Sequence, residues 1–240
     1  MLYGSVVLST LAILVAYPIA LGVCALVNGI APSSIAKILK NAIHYMTSIP
    51  TVIYGFISVI ILVPLVRNLF RSGSGYCLLT TVLTLSVVIL PTIILIINLQ
   101  IEKIPPSIRI GCRAIGMSPA SEMLWIIFPA VRNALIDAFI LGFARANGDT
   151  LIALMVSGNS PQIPKNLFDS FRTLPAHIGI AISTDTQTVI YQSIFLSGLI
   201  LVLVTILVTI LVNILVNILA NTISRLKILP LYKHKNDRHW

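Results

Sequence analysis

Residues 104–130 read IPPSIRIGCRAIGMSPASEMLWIIFPA, a polar-leaning interruption between long apolar runs. Pro105-Pro106 opens a helix whose first position needs no N–H. Gly116 supplies a left-handed stop, Ser118-Pro119 an N-cap followed by a proline at N1, and Pro129 a second stop. This punctuation predicts two short helices hinged at Gly116, with Arg109 and Arg113 one turn apart on the first. A hydrophobic chain that folds such an elbow between apolar segments offers it to a soluble partner. The rest of the chain then serves to hold the elbow at a membrane surface.

Composition supports that setting. The 240 residues are 57% hydrophobic and only 10% charged, with mean hydropathy +1.00, whereas a soluble domain is roughly a quarter charged. The chain is therefore an integral membrane protein, read as one bundle of spans. Cys24, Cys77 and Cys112 form no CxxC pair, so they read as small packing residues. The N-terminus lacks a charged region ahead of its apolar run, and that run is long enough to span, so no cleavable signal is expected.

Apolar runs at 5–27, 46–66, 77–99, 133–157 and 189–220 each reach the roughly 20 residues that cross about 30 Å of hydrocarbon. They predict about five spans in a domain covering 1–224, with a basic tail at 225–240. The first is expected to bend at Pro18. The fifth overshoots and must tilt or project. With the elbow inside, the inner segments hold Lys37, Lys40, Lys103, Arg109, Arg113, Arg132, Arg225, Lys227, Lys233, Lys235 and Arg238. The outer segments hold Arg67, Arg71, Lys165 and Arg172. Eleven against four puts the elbow and C-terminus in the cytoplasm and the N-terminus outside. The net charge of +9 is then topological, which excludes nucleic acid as its explanation.

Two spans carry polar patterns. In the fifth, Thr205, Thr209, Asn213, Asn217 and Asn221 recur every four positions, a stripe that drifts about 40° per step. It reads as interhelical hydrogen-bond glue or as a pore lining. In the fourth, NALIDAFILGFARANGDTLIALMVS, Arg145 sits at the midpoint with Asp149 one turn on and Asp137 two turns back. A central arginine costs about 2.5–3.5 kcal/mol to insert and normally faces a bundle interior or wet cavity. Either Arg145 and Asp149 form an i,i+4 ion pair, or Asp149 holds a guanidinium that meets a crossing anion. Arginine suits oxyanions because its planar fork takes two oxygens at once. Ala138, Gly142 and Ala146 form a small-residue stripe beside it that admits a close partner helix.

Enzyme signatures are poor. Residues 111–118 mimic a phosphate loop, but Met117 stands where its lysine belongs and no strand precedes it. The chain is therefore expected to hydrolyse no nucleotide and to need no cofactor or metal. No HExxH, GxSxG or paired-carboxylate motif appears. His44 and His177 fall on opposite sides and read as ordinary interfacial histidines.

The elbow resembles the cytoplasmic loop of bacterial ABC importer permeases, E-A-A-x3-G-x9-I-x-L-P. Gly116 matches its glycine, and Ile126-Ile127-Phe128-Pro129 its last four positions with Phe for Leu. Ile110, Gly111 and Cys112 stand in place of E-A-A, so the glutamate is missing. Three further stretches resemble the phosphate-specific permeases: SIPTVIYG at 48–55, GFARANGDT at 142–150, and GNSPQIP at 158–164 with FDSFRTL at 168–174. In that family the second contains R-A-x-G-E-T, so Asp149 stands for a glutamate. The family usually carries one more span upstream, so a truncated start or a shortened subunit is expected.

The resemblance implies an all-α polytopic membrane helix bundle of the ABC importer permease type in a bacterial inner membrane, with the elbow as its cytoplasmic coupling helix. It implies a phosphate importer subunit working with a second permease, two copies of a cytoplasmic ABC ATPase and an external phosphate-binding protein. Its substrate path would involve Arg145, Asn147, Asp149 and Thr150. ATPase docking would involve Arg109, Gly111, Cys112, Arg113, Gly116 and Met117. A permease for molybdate or sulfate, and a non-transporting sensor or scaffold that docks the same ATPase, are the rival expectations.

Overall fold

The computed structural model describes residues 1–71, 73–182 and 189–225, with the side chains of 193–208, 210, 211 and 214 in the last of these stretches. Helix α1 (Leu2–Ala25) runs through Pro18 and ends in a π-helical turn, Leu26–Ile30. Helix α2 (Ser33–Ser48) follows. Helices α3 (Thr51–Ile57) and α4 (Val63–Phe70) are joined by a π turn over Ser58–Leu62. Then come α5 (Leu78–Ile101), α6 (Pro106–Ala114), α7 (Pro119–Glu122), α8 (Phe128–Ala130), α9 (Arg132–Gly148), α10 (Leu151–Val156), α11 (Leu174–Ala181) and α12 (Val189–Arg225). The described residues hold no strand, only one isolated bridge between Gly158 and Phe171.

The core is α5 sandwiched by α1 and α9. Ile89, Ile93, Ile94 and Ile97 of α5 are fully buried. Among lipid tails such burial gains little transfer energy, so close packing must hold the helices together. Small residues provide it: Ser5, Ser9, Ala12, Ala16, Ala20 and Cys24 form a buried stripe along α1. Ser86 Oγ donates to the Ala12 carbonyl at 3.1 Å across that seam. The stripe of Ala138, Gly142 and Ala146 is buried as well. Its close partners lie within this chain, since a Cβ at Gly142 would meet Ile13 Cδ1 at 2.8 Å and Ile93 Cγ1 at 3.0 Å. All three cysteines are free and buried, as packing residues should be.

Polar loops close one end of the bundle. Leu78 and Leu79 donate their N–H groups to the Asp169 and Leu167 carbonyls at 3.1 and 2.8 Å, and Leu174 N donates to Ser5 Oγ at 2.8 Å. Phe171 is fully buried there. The elbow closes the other end. Lys40 meets Glu102 at 3.3 Å near the end of α5, and Arg109 reaches the end of α1.

Among the described residues, three helices are each long and apolar enough to cross a membrane: Leu2–Ile30, Thr51–Phe70 and Leu78–Ile101. A fourth apolar unit combines Pro119–Ala130 with Arg132–Gly148, bent by 78°. In α12 the described apolar stretch is Ser193–Val208, and residues 226–240 of the basic tail lie outside the described residues. Three expectations shift. The second apolar helix starts at Thr51 instead of Met46, because Pro50 drives Ile49 into extended backbone (ψ 124°) and ends α2 at Ser48. The expected fourth span breaks after Gly148, with Asp149 extended at ψ 118°. Pro129 does not stop the elbow. It sits in the first turn of α8, where no donor is required, and the chain turns at Val131 instead.

Candidate functional site

Up to Ser118 the elbow forms as its punctuation requires. Pro105 caps α6 with Pro106 behind it. Gly116 has φ +77°, its N–H donates to the Arg113 carbonyl, and the Met117 N–H reaches back to Cys112, both at 3.0 Å. That pair of bonds is a Schellman stop. Ser118 Oγ then accepts the Ser121 N–H at 3.2 Å and starts α7.

The residues named for docking divide by face. Gly111, Arg113 and Gly116 are exposed, beside Ile110 at 66% and Ile115 at 77% exposure. Met117 is half-buried. Cys112 points inward and is buried. Arg109 also turns inward: Nη1 donates to the Asn28 carbonyl at 2.6 Å, and Nε lies 3.9 Å from the buried Glu122 carboxylate.

At the far end of α9 the four residues named for a substrate path also divide. Arg145 is exposed in the single chain, and Nη1 donates to Thr92 Oγ1 of α5 at 2.7 Å. The i,i+4 ion pair with Asp149 does not form, because the helix ends between them. Asp149 Oδ1 instead accepts the Ile152 N–H at 2.8 Å and caps α10. Capping leaves the guanidinium without a bridging carboxylate. Thr150 is half-buried beside it, its methyl 3.3 Å from where a Cβ on Gly179 would lie. Asn147 faces the other way. It is buried, accepts from Ser9 Oγ at 3.4 Å, and donates Nδ2 to Thr205 Oγ1 at 3.1 Å. It ties α9 to α1 and α12 and has no access to an anion beside Arg145.

Thr205 thus acts as interhelical glue, the first reading of the fifth-span stripe. The side chains of Thr209, Asn213, Asn217 and Asn221 lie outside the described residues. Sequence reading missed Thr92, whose signal was a polar residue after Pro91 in an otherwise apolar run. Tyr54, inside the SIPTVIYG stretch, donates to the Met46 carbonyl at 2.9 Å. His44 is exposed on α2, whereas His177 is buried in α11 with Nε2 2.8 Å from Ser193 Oγ. Burial and then the nearby Arg172 hold it below the ordinary imidazole value.

Apolar helices threaded between a polar loop end and a helical elbow define a polytopic membrane helix bundle. The chain belongs to the family described as binding-protein-dependent transport system inner membrane component, which matches residues 7–225. It is similar to a probable ABC transporter permease protein, YqgH, of Bacillus subtilis (strain 168), 34% identical over 84% of this chain and 65% of that one. It is also similar to the phosphate transport system permease protein PstC of Haemophilus influenzae, 27% identical over 73% of this chain and 62% of the relative. The chain thus spans less than two thirds of either relative. Among solved structures, the fold matches a chain of the inward-facing MetNI methionine ABC transporter with a TM-score of 0.69. That match has 15% identity and covers 90% of this chain and 92% of the other.

Proposed function

We propose that this chain is a membrane-spanning permease subunit of an ATP-driven phosphate importer. The observation that carries the reading is Arg145, a guanidinium exposed on the face of an apolar helix, braced by Thr92 and unbridged by Asp149. An arginine held that way is ready to accept an oxyanion on its free N–H groups. Similarity to a phosphate transport permease supports phosphate over other oxyanions. ATP is hydrolysed on two copies of a separate cytoplasmic ATPase, which the 104–130 elbow engages. A second homologous permease completes the path through the lipid bilayer, and an external binding protein delivers phosphate. The elbow and C-terminus face the cytoplasm and the N-terminus the outside, following the basic residues.

The direct test is radiolabelled phosphate uptake by vesicles holding the assembled complex, with molybdate and sulfate as competitors. Phosphate uptake that neither competitor reduces is expected. Strong competition by either would reassign the substrate, and ATPase docking without any uptake would leave a scaffold. Orientation is checked separately. A cysteine introduced near Lys165 is expected to react with a membrane-impermeant reagent from outside, and one near Ser118 to be protected. The reverse pattern would overturn the topology.

A further inference from the structure

The family resemblance counts Arg109 among docking residues, yet its guanidinium is turned away from any soluble partner. It donates to the Asn28 carbonyl at 2.6 Å, inside the π turn that ends α1. Asn28 Nδ2 in turn donates to Asn98 Oδ1 of α5 at 2.7 Å and to the Cys24 carbonyl at 2.9 Å. On its other side Arg109 faces Glu122, which is 5% exposed, at 3.9 Å. The apolar contact runs alongside, since a Cβ on Gly29 would lie 3.2 Å from Cγ of the fully buried Met123. Met123 opens another π turn, Met123–Ile127. One polar chain therefore joins α5, α1, α6 and α7, and it lies where two irregular turns meet.

We propose that Arg109 is a positioning residue that, with Asn28 and Glu122, latches the elbow to the ends of α1 and α5. It passes displacement of the elbow into the bundle. The proposal rests on the importer reading. A carbonyl at a helix end carries partial negative charge and favours a cation, and a buried carboxylate needs one nearby. Arg109 meets both needs at once, and its rigid fork fixes the angle between α6 and α1. Arg113, one turn on and exposed, is left as the arginine that can meet a partner. Coupling requires an element both ends can bias, and here the element is the α6–α7 elbow hung from α1.

The test uses the assembled complex. Arg109→Met alone strands Glu122, so it is paired with Glu122→Gln, which removes the orphaned charge. In the double variant the ATPase is expected to copurify and hydrolyse ATP near the wild-type rate. Phosphate moved per ATP should fall about tenfold or more, the weight of a charge-assisted hydrogen bond. Arg109→Lys, which keeps a donor and the charge, should recover part of that ratio. Hydrogen exchange at residues 26–30 should speed up in the double variant and stay at wild-type rates in Arg113→Gln. Unchanged phosphate per ATP would overturn the latch. Loss of the ATPase from the double-variant complex would overturn it too, by making Arg109 a docking contact. If the wild-type complex moves no phosphate, the substrate reading fails, and the exchange rates alone decide the latch.

Discussion

Arg145→Gln is expected to abolish phosphate uptake while the subunit stays in the membrane at near-normal abundance. Two features of the site set that outcome. Arg145 lies in the last turn of α9, and a neutral glutamine in an apolar segment is cheaper to insert than a charged arginine. Asp149 is not stranded, because its carboxylate is already occupied by the Ile152 N–H. What disappears is the charge and the fork. Each charge-assisted contact with an oxyanion contributes about 1.5–3 kcal/mol, roughly ten- to hundredfold in rate or affinity. Arg145→Lys keeps the charge without the fork and should fall between. Adding Asp149→Asn separates the direct role from a scaffolding one. Asparagine caps a helix about as well as aspartate, so α10 keeps its start, while any residual attraction between the two groups is removed. Uptake by Arg145→Gln/Asp149→Asn, normalised to subunit in the membrane, should stay abolished. Near-normal uptake by that double variant would make Arg145 scaffold and place the anion path elsewhere.

Much of the fold was legible because hydropathy and punctuation report on the same thing, where backbone polar groups can be satisfied. The 77–99 run predicts α5 to within two residues at either end, since Pro91 lies well inside a strongly apolar helix. The turn at Gly116 was equally plain, as few residues adopt φ +77° cheaply. The breaks that surprised are those where a polar side chain wins a local contest. Asp149 ends α9 by capping α10, and hydropathy cannot see that competition between side chain and backbone. Ile49 leaves the helix because of Pro50, a rule the apolar run obscured. The α1 stripe of Ser5, Ser9, Ala12, Ala16, Ala20 and Cys24 was readable as small-xxx-small spacing. By contrast, only packing could show that Gly142 faces Ile13 and Ile93. At the site, Asn147 could have been separated from Arg145 by periodicity, because two residues are about 200° around a helix. The inward turn of Arg109 could not, because its partner is a backbone carbonyl 81 positions away.

Gly116→Val is expected to uncouple the ATPase, by a cause confined to the backbone. A Cβ at Gly116 would meet nothing within 4 Å, so crowding plays no part. The φ of +77° does, since the left-handed region costs an L-residue about 1–2 kcal/mol and a β-branched one is a genuine outlier there. Relief comes by abandoning the two bonds that Gly116 and Met117 return to Arg113 and Cys112, which rotates α7 relative to α6. The elbow then presents Arg113 and Ile115 at the wrong angle, while the apolar helices that insert the subunit are untouched. The ATPase should dissociate, or hydrolyse ATP without transport, at normal subunit abundance. Two companions give the series a scale. Gly116→Asn, which tolerates this region, should couple nearly normally. Gly111→Ala lies inside α6 with no atom within 4 Å of its Cβ, and should stabilise that helix by about 0.8–1 kcal/mol without loss of coupling. Copurified ATPase and phosphate moved per ATP, measured for all three, check the ordering. Normal transport by Gly116→Val would show that the elbow is not what engages the ATPase.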